Sequence, residues 1–152
     1  MSCGSQIPIA VCDTVVATGA TVAAGASGYL THSSSAGISS SAAGIPLTLI
    51  GIQPSCLTVN LVVDATATAA ASGSATVQLF RYADDVEVAT PLQEQTIQFN
   101  VTAANVHVPV TTAFTVDVGV GKYSVVAVVA NTGSTTSLTI NARANILAVL
   151  SS

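Results

Sequence analysis

From Leu57 onward, apolar and polar residues alternate with a period of two, the pattern of strands with one buried face. Leu57, Val59, Leu61 and Val63 form one row against Thr58, Asn60 and Asp64. Val77 and Leu79 oppose Thr76 and Gln78, and Ile97, Phe99 and Val101 oppose Gln98, Asn100 and Thr102. Tyr123, Val125, Ala127 and Val129 make another row, followed by Leu138 and Ile140 against Thr139 and Asn141. The segment Ile146 to Leu150 is apolar on both faces, which predicts a central strand. Turn signals fall at Ser72-Gly73-Ser74, Ala83-Asp84-Asp85, Gly119-Val120-Gly121 and Asn131-Thr132-Gly133-Ser134. Ala65 to Ala71 is Ala-rich, but its interleaved Thr and the following Gly73 favour a loop or strand end over a helix. No stretch carries a capped stripe of 3.6-residue period.

Residues 1–56 read differently. Ala, Gly, Ser and Thr dominate residues 17–44, as in Ala23-Ala24-Gly25-Ala26-Ser27-Gly28, Ser33-Ser34-Ser35 and Ser39-Ser40-Ser41. Small side chains bury little area, so this segment gains little by packing on itself. It predicts an extended N-terminal arm, or strands whose order depends on neighbours. Asp13 is the one formally charged side chain before Asp64. Strand follows strand without intervening helices, so the fold class is all-β: an antiparallel β-sandwich or jelly roll. The chain divides into the arm and first strands (1–56) and the jelly-roll strands (57–152), within one domain.

Composition narrows the function classes. Of 152 residues, 50% are hydrophobic and only 7% charged, with aromatics at 4% and Trp absent. Lys+Arg 3 against Asp+Glu 7 leaves a net charge of −4, which cannot supply a nucleic-acid footprint. The mean hydropathy of +0.69 invites a membrane reading. A spanning helix needs roughly 20 consecutive apolar residues. The longest runs, such as Val125-Val126-Ala127-Val128-Val129-Ala130, are far shorter, and aromatic girdles for a membrane barrel cannot be built. Met1 to Pro8 has no basic residue and no apolar core, which argues against a signal peptide and for synthesis in the cytoplasm. Large apolar anchors are few, so a lone subunit should be marginal and an oligomer is expected.

Candidate chemistry is sparse. Cys3, Cys12 and Cys56 lie in the first third without a CxxC spacing, which speaks against zinc. The odd count fits no complete internal disulfide set but allows one pair plus one free thiol. Otherwise they read as reduced, partly buried thiols, as a cytoplasmic protein would carry, or as a disulfide between subunits. Asp84, Asp85 and Glu87 do not match a calcium loop and read as a solvated hairpin tip. His32 and His107 lack a nucleophile elbow, and Gly119-Val120-Gly121-Lys122 lacks the rest of a phosphate loop. Asn100-Val101-Thr102 is a glycosylation sequon by form only. No catalytic residue, cofactor or metal site is expected.

Val118-Gly119-Val120-Gly121-Lys122-Tyr123-Ser124-Val125 resembles the G-x-Y-x-V strand of tumour-necrosis-factor-like jelly rolls. The stretch Thr139 to Leu150 is similar to their closing strand, and Ala75 to Val88 to the hairpin that precedes it. The resemblance covers residues 57–150 and leaves the arm unmatched; the few aromatics depart from the family pattern. It extends to small structural proteins of tailed phages. It implies a non-enzymatic virion protein that decorates and cements the outer capsid surface as a homotrimer, with the major capsid protein as partner and no nucleic acid or membrane. Two other readings stand beside it: a spore-surface or appendage subunit cross-linked through the arm cysteines, and a phage receptor-binding tip that recognises saccharide.

Overall fold

The computed structural model describes residues 8–30, 38–39, 45–49, 55–133 and 135–150, with side chains for 19–30, 56–133 and 135–146. All regular structure among them is β: β1 (Pro8–Val22), β2 (Ser27–Leu30), β3 (Ile38–Ser39), β4 (Ile45–Leu49), β5 (Ser55–Ala67), β6 (Ala71–Ala83), β7 (Val86–Glu87), β8 (Gln93–Val101), β9 (Val108–Val118), β10 (Gly121–Asn131) and β11 (Leu138–Leu150). The runs rich in Val and Thr become strands because branched Cβ atoms suit a pleated, half-buried surface.

Every pairing is antiparallel. One sheet has the order β1-β11-β5-β9. In the other, β10 is flanked by β6 on one side and by β2 and β4 on the other; β3 lies beyond β2, and β7 and β8 beyond β6. The chain crosses between sheets at β1–β2, β4–β5, β5–β6, β8–β9, β9–β10 and β10–β11. Neighbours in sequence therefore face each other across the core, as in a double-sheet jelly roll. The expected sandwich is what the strand order gives. The segment Ile146 to Leu150 does sit centrally, between β1 and β5.

The core is the space between the inner rows. Leu57, Val59, Leu61, Val63 and Ala65 of β5 face Ala75, Val77 and Leu79 of β6, joined by Val125, Ala127 and Val129 of β10 and Leu138, Ile140, Ala144 and Ile146 of β11. These side chains are almost wholly out of solvent. Each large one stabilises the fold by about 1.5–3 kcal/mol relative to exposure.

Two expectations need amendment. Residues 8–22 are a long edge strand paired with β11, with shifts of register between Pro8 and Ala10, Val15 and Ala17, and Ala17 and Ala20. Of the serine runs, Ser33 to Ser35, Ser40 and Ser41 fall outside the described residues. Ser72-Gly73-Ser74 is strand rather than turn. Gly73 is buried between Asn131 of β10 and Phe99 of β8 in register. A Cβ there would lie 2.6 Å from the Phe99 ring and 2.8 Å from the Ala130 carbonyl oxygen. The glycine gives the Phe99 ring its place and does not break the chain.

The signals at Asp84-Asp85 and Gly119-Val120 hold as turns; of the fourth, Asn131 ends β10 and Ser134 lies outside the described residues. Asp84 and Asp85 both have left-handed φ values, 52° and 62°, the geometry of a two-residue type I′ hairpin turn. Ala67 and Ala71 are the ends of β5 and β6, with residues 68–70 turning between them. Gly119 and Val120 link β9 to β10.

Candidate functional site

Strands β8 and β9 form one flank of the sandwich, each paired on one side only among the described residues. Their inner rows are incompletely covered. Ile97, Val108, Val110 and Val116 pack against the core but remain partly exposed, and Gln95, on the inner row of β8, is exposed. Thr112 of β9 is buried, and its hydroxyl donates to the Gln95 carbonyl oxygen at 3.2 Å, clasping the two edges. Along this flank the apolar interior is partly open to solvent.

The outer face of the first sheet carries rows of short neutral side chains. Thr58 and Thr115 share a hydrogen bond across β5 and β9, and Asn60, Ala113, Thr111 and Val62 continue the face. Charge enters it at Asp64, Arg143 and Asp117. Asp64 accepts a hydrogen bond from Nδ1 of His107 at 2.8 Å, and both side chains are open to solvent. The pair anchors the loop before β9, together with the Asn105 amide, which donates to the Ala67 carbonyl oxygen. Asp64 and His107 thus tie the loop before β9 to β5.

The second sheet divides into a polar and an apolar part. Across β6 and β8, Ser72 donates to Asn100, Thr76 bonds Thr96, and the Gln78 amide donates to Glu94. Toward β10 the outward row is Ser124, Val126, Val128 and Ala130, and Ser124 and Val126 are buried although alternation alone would expose them. The Ser124 hydroxyl donates to Glu87 of β7 at 2.7 Å, so the hairpin beyond β6 folds across β10.

That hairpin is also pinned by Lys122, whose Nζ donates to Asp85. The hydrogen bond and then the charge of Lys122 hold the Asp85 carboxyl below its ordinary range, and the same contacts push Lys122 upward. Both groups are fully exposed, so the contact orients the tip more than it stabilises the fold. Tyr123 donates its hydroxyl to the Gly119 carbonyl at 2.8 Å, and burial raises its phenol above the usual value. The three acids of the tip do not converge: Asp85 serves Lys122, Glu87 serves Ser124, and Asp84 lies in the turn.

Of the cysteines, Cys56 is disulfide-bonded. It stands on the outward row of β5 yet is buried. The reading of three reduced thiols therefore does not hold for Cys56. The side chains of Cys3 and Cys12, like His32, lie outside those described. Among the described residues no three His, Cys, Asp or Glu side chains come together as metal ligands, and no helix is long and apolar enough to cross a membrane.

At one pole, the start of β6, the end of β8 and the β10–β11 loop enclose a shallow groove of about 420 Å³. Buried Asn131 organises its wall: its Nδ2 donates to the carbonyl oxygens of Thr136 at 2.8 Å and Val22 at 3.1 Å, and its Oδ1 accepts from the Gly133 amide at 3.0 Å. Sequence reasoning took Asn131 only as a turn former. Its place at the end of an apolar strand was the one available signal.

The strand order and the repeated inter-sheet crossings define an all-β jelly-roll sandwich. No protein-family model matches the chain, and no curated protein does. Among solved structures it is similar to that of the Gx strain of infectious bursal disease virus, at 13% identity and a TM-score of 0.47, over 93% of this chain and 32% of that one. The VP2 subviral particle of infectious bursal disease virus gives 13% identity, a TM-score of 0.40 and the same coverage. Eiger TNF from S. frugiperda gives 10% identity and 0.35, over 66% of this chain and 63% of that one. The chain spans about a third of the length of the two viral chains it matches.

Proposed function

We propose that this chain is a non-enzymatic virion structural protein, a capsid decoration protein that binds the outer capsid surface as a homotrimer and stabilises it. One observation carries the reading: inner-row apolar residues Ile97, Val108, Val110 and Val116 stay partly exposed along the β8–β9 flank. Burying a flank of this kind against another copy recovers about 25 cal/mol per Å² of apolar surface. The outer face of the first sheet, largely Thr, Asn and Ala with few charges, suits contact with a second protein that pairs its hydroxyls and amides. The resemblance of residues 118–125 and 139–150 to phage structural jelly rolls supplies the capsid as partner. The chain then works on the particle surface after synthesis in the host cytoplasm.

Two measurements test this. Light scattering on the purified protein should give three copies per particle, and a stable monomer at high concentration would refute the oligomer. Capsids assembled without the protein should take it up stoichiometrically and withstand more heat. If neither occurs, it does not cement.

The disulfide at Cys56 favours a second element of the reading, a covalent link between subunits. The chain has three cysteines, so a bond of Cys56 to Cys3 or to Cys12 leaves one thiol over. Outside the reducing cytosol that thiol can pair with its counterpart on a neighbouring subunit. Native particles run on non-reducing gels should then show cysteine-dependent dimers, and monomers alone would remove the link. The same device would serve a spore-surface or appendage subunit.

A further inference from the structure

We propose that the polar groove at the pole of the sandwich is a binding site for a neutral saccharide. This goes beyond the capsid-binding reading and does not depend on it. Three separate elements build the groove: Ala70, Ala71 and Ser72 from the β5–β6 turn and β6, Asn100 and Thr102 from β8 and its exit, and Thr135 and Thr136 from the β10–β11 loop.

Its chemistry is uniform. Among the described residues, the polar side chains on its walls are hydroxyls and one carboxamide, and none is titratable. An anionic ligand finds no cation there, and a cationic one finds no carboxylate. A ligand made of hydroxyl groups finds donors and acceptors matched to its own. The volume of about 420 Å³ lies within the range of small-molecule sites and accepts a small saccharide.

The site is also ordered before any ligand arrives. Asn131 ties down both ends of the loop through Gly133 and Thr136, and the Thr132 amide donates to the Ser72 carbonyl oxygen at 2.9 Å. The Ser72 hydroxyl donates to Oδ1 of Asn100 at 2.8 Å, which fixes the carboxamide and leaves its Nδ2 as a donor for a ligand. A groove whose hydrogen-bonding groups are already oriented loses less entropy on binding than a mobile one.

The test is titration of the whole protein with maltotriose and, separately, with chitotriose, followed by amide chemical shifts. One of the two should move the amides of Asn100, Thr102, Gly133 and Thr135 together. Asn100→Ala and Thr135→Val should each weaken that response at least tenfold while leaving the thermal midpoint within a few degrees. Sialyllactose, which carries a carboxylate, should bind more weakly than the neutral sugar. No shift with either neutral sugar, shifts elsewhere on the surface, or full binding by both variants would overturn the assignment. Should Asn100→Ala unfold the protein, Thr135→Val, on an exposed side chain, decides alone. Capsid uptake is a separate readout, so loss of one leaves the other standing.

Discussion

Strands β10 and β8 both pair with β6, one on each side, and both show apolar residues at every second position. Their fates differ. From Tyr123 to Ala127, β10 is buried on both faces, whereas β8 is buried only at Phe99 and Val101. The difference lies in position. Strand β10 has β2 and β4 on its far side and the β7 hairpin across its back. Among the described residues, β8 has no second paired neighbour and meets β9 only across the corner of the sandwich. Alternation thus marks a face, and rank within the sheet decides how far that face is covered.

The strongest way to break this comparison is a pair of truncations. Val129→Ala on β10 removes less side chain than Ile97→Ala on β8, yet should destabilise more: about 2–3 kcal/mol against about 1 kcal/mol in urea unfolding of the monomer. Equal costs, or the reverse order, would mean that β8 is as well packed as β10. If the flank is covered by another copy, Ile97→Ala should also weaken oligomer assembly while Val129→Ala does not. Sedimentation at several concentrations reads this.

Gly73 sharpens the comparison, because it lies on β6 between the two strands. Gly73→Ala forces a methyl against the Phe99 ring and the Ala130 backbone. Overpacking of this kind should cost about 1–3 kcal/mol. Adding Phe99→Leu should recover part of the loss, since the ring is the nearest of three obstacles, with the Ala130 carbonyl oxygen and the Leu138 side chain. No recovery would place the clash at Ala130 and Leu138.

The smallest effect belongs to the tip that crosses β10. With Asp85 lowered and Lys122 raised, what the pair contributes is complete above the ordinary aspartate value of 3.8 and is lost as the pH falls through the lowered Asp85 value. At the alkaline end it is complete below 10.5 and lost as the pH rises through the raised Lys122 value. Lys122→Met should return the Asp85 midpoint toward its ordinary value in a carbon-13 titration, and so should 1 M salt. The urea midpoint should hardly move, because the pair is exposed. A clear loss of stability would show that the hairpin is held chiefly by this contact and not by Ser124 and Glu87.

The sequence by itself determined the strand class, the inward rows of β5, β10 and β11, and the hairpin turn at Asp84 and Asp85. It did so because a period of two and turn chemistry are local properties of the chain. Tertiary structure decided the rest. Gly73 reads as a turn residue until Phe99 and Ala130 are brought against it. Ser124 reads as exposed until Glu87 arrives from another strand. Asn131 reads as a turn former until Val22, more than a hundred residues away, supplies a carbonyl to its amide. Of the candidate chemistry, the acidic tip was legible as a hairpin turn, and Asp84 and Asp85 form it between β6 and β7. The polar groove was invisible, since its walls come from three segments that meet only when both sheets close. Its residues are Ser, Thr, Asn and Ala, which elsewhere in this chain are ordinary surface. Only their convergence gives them a shared role.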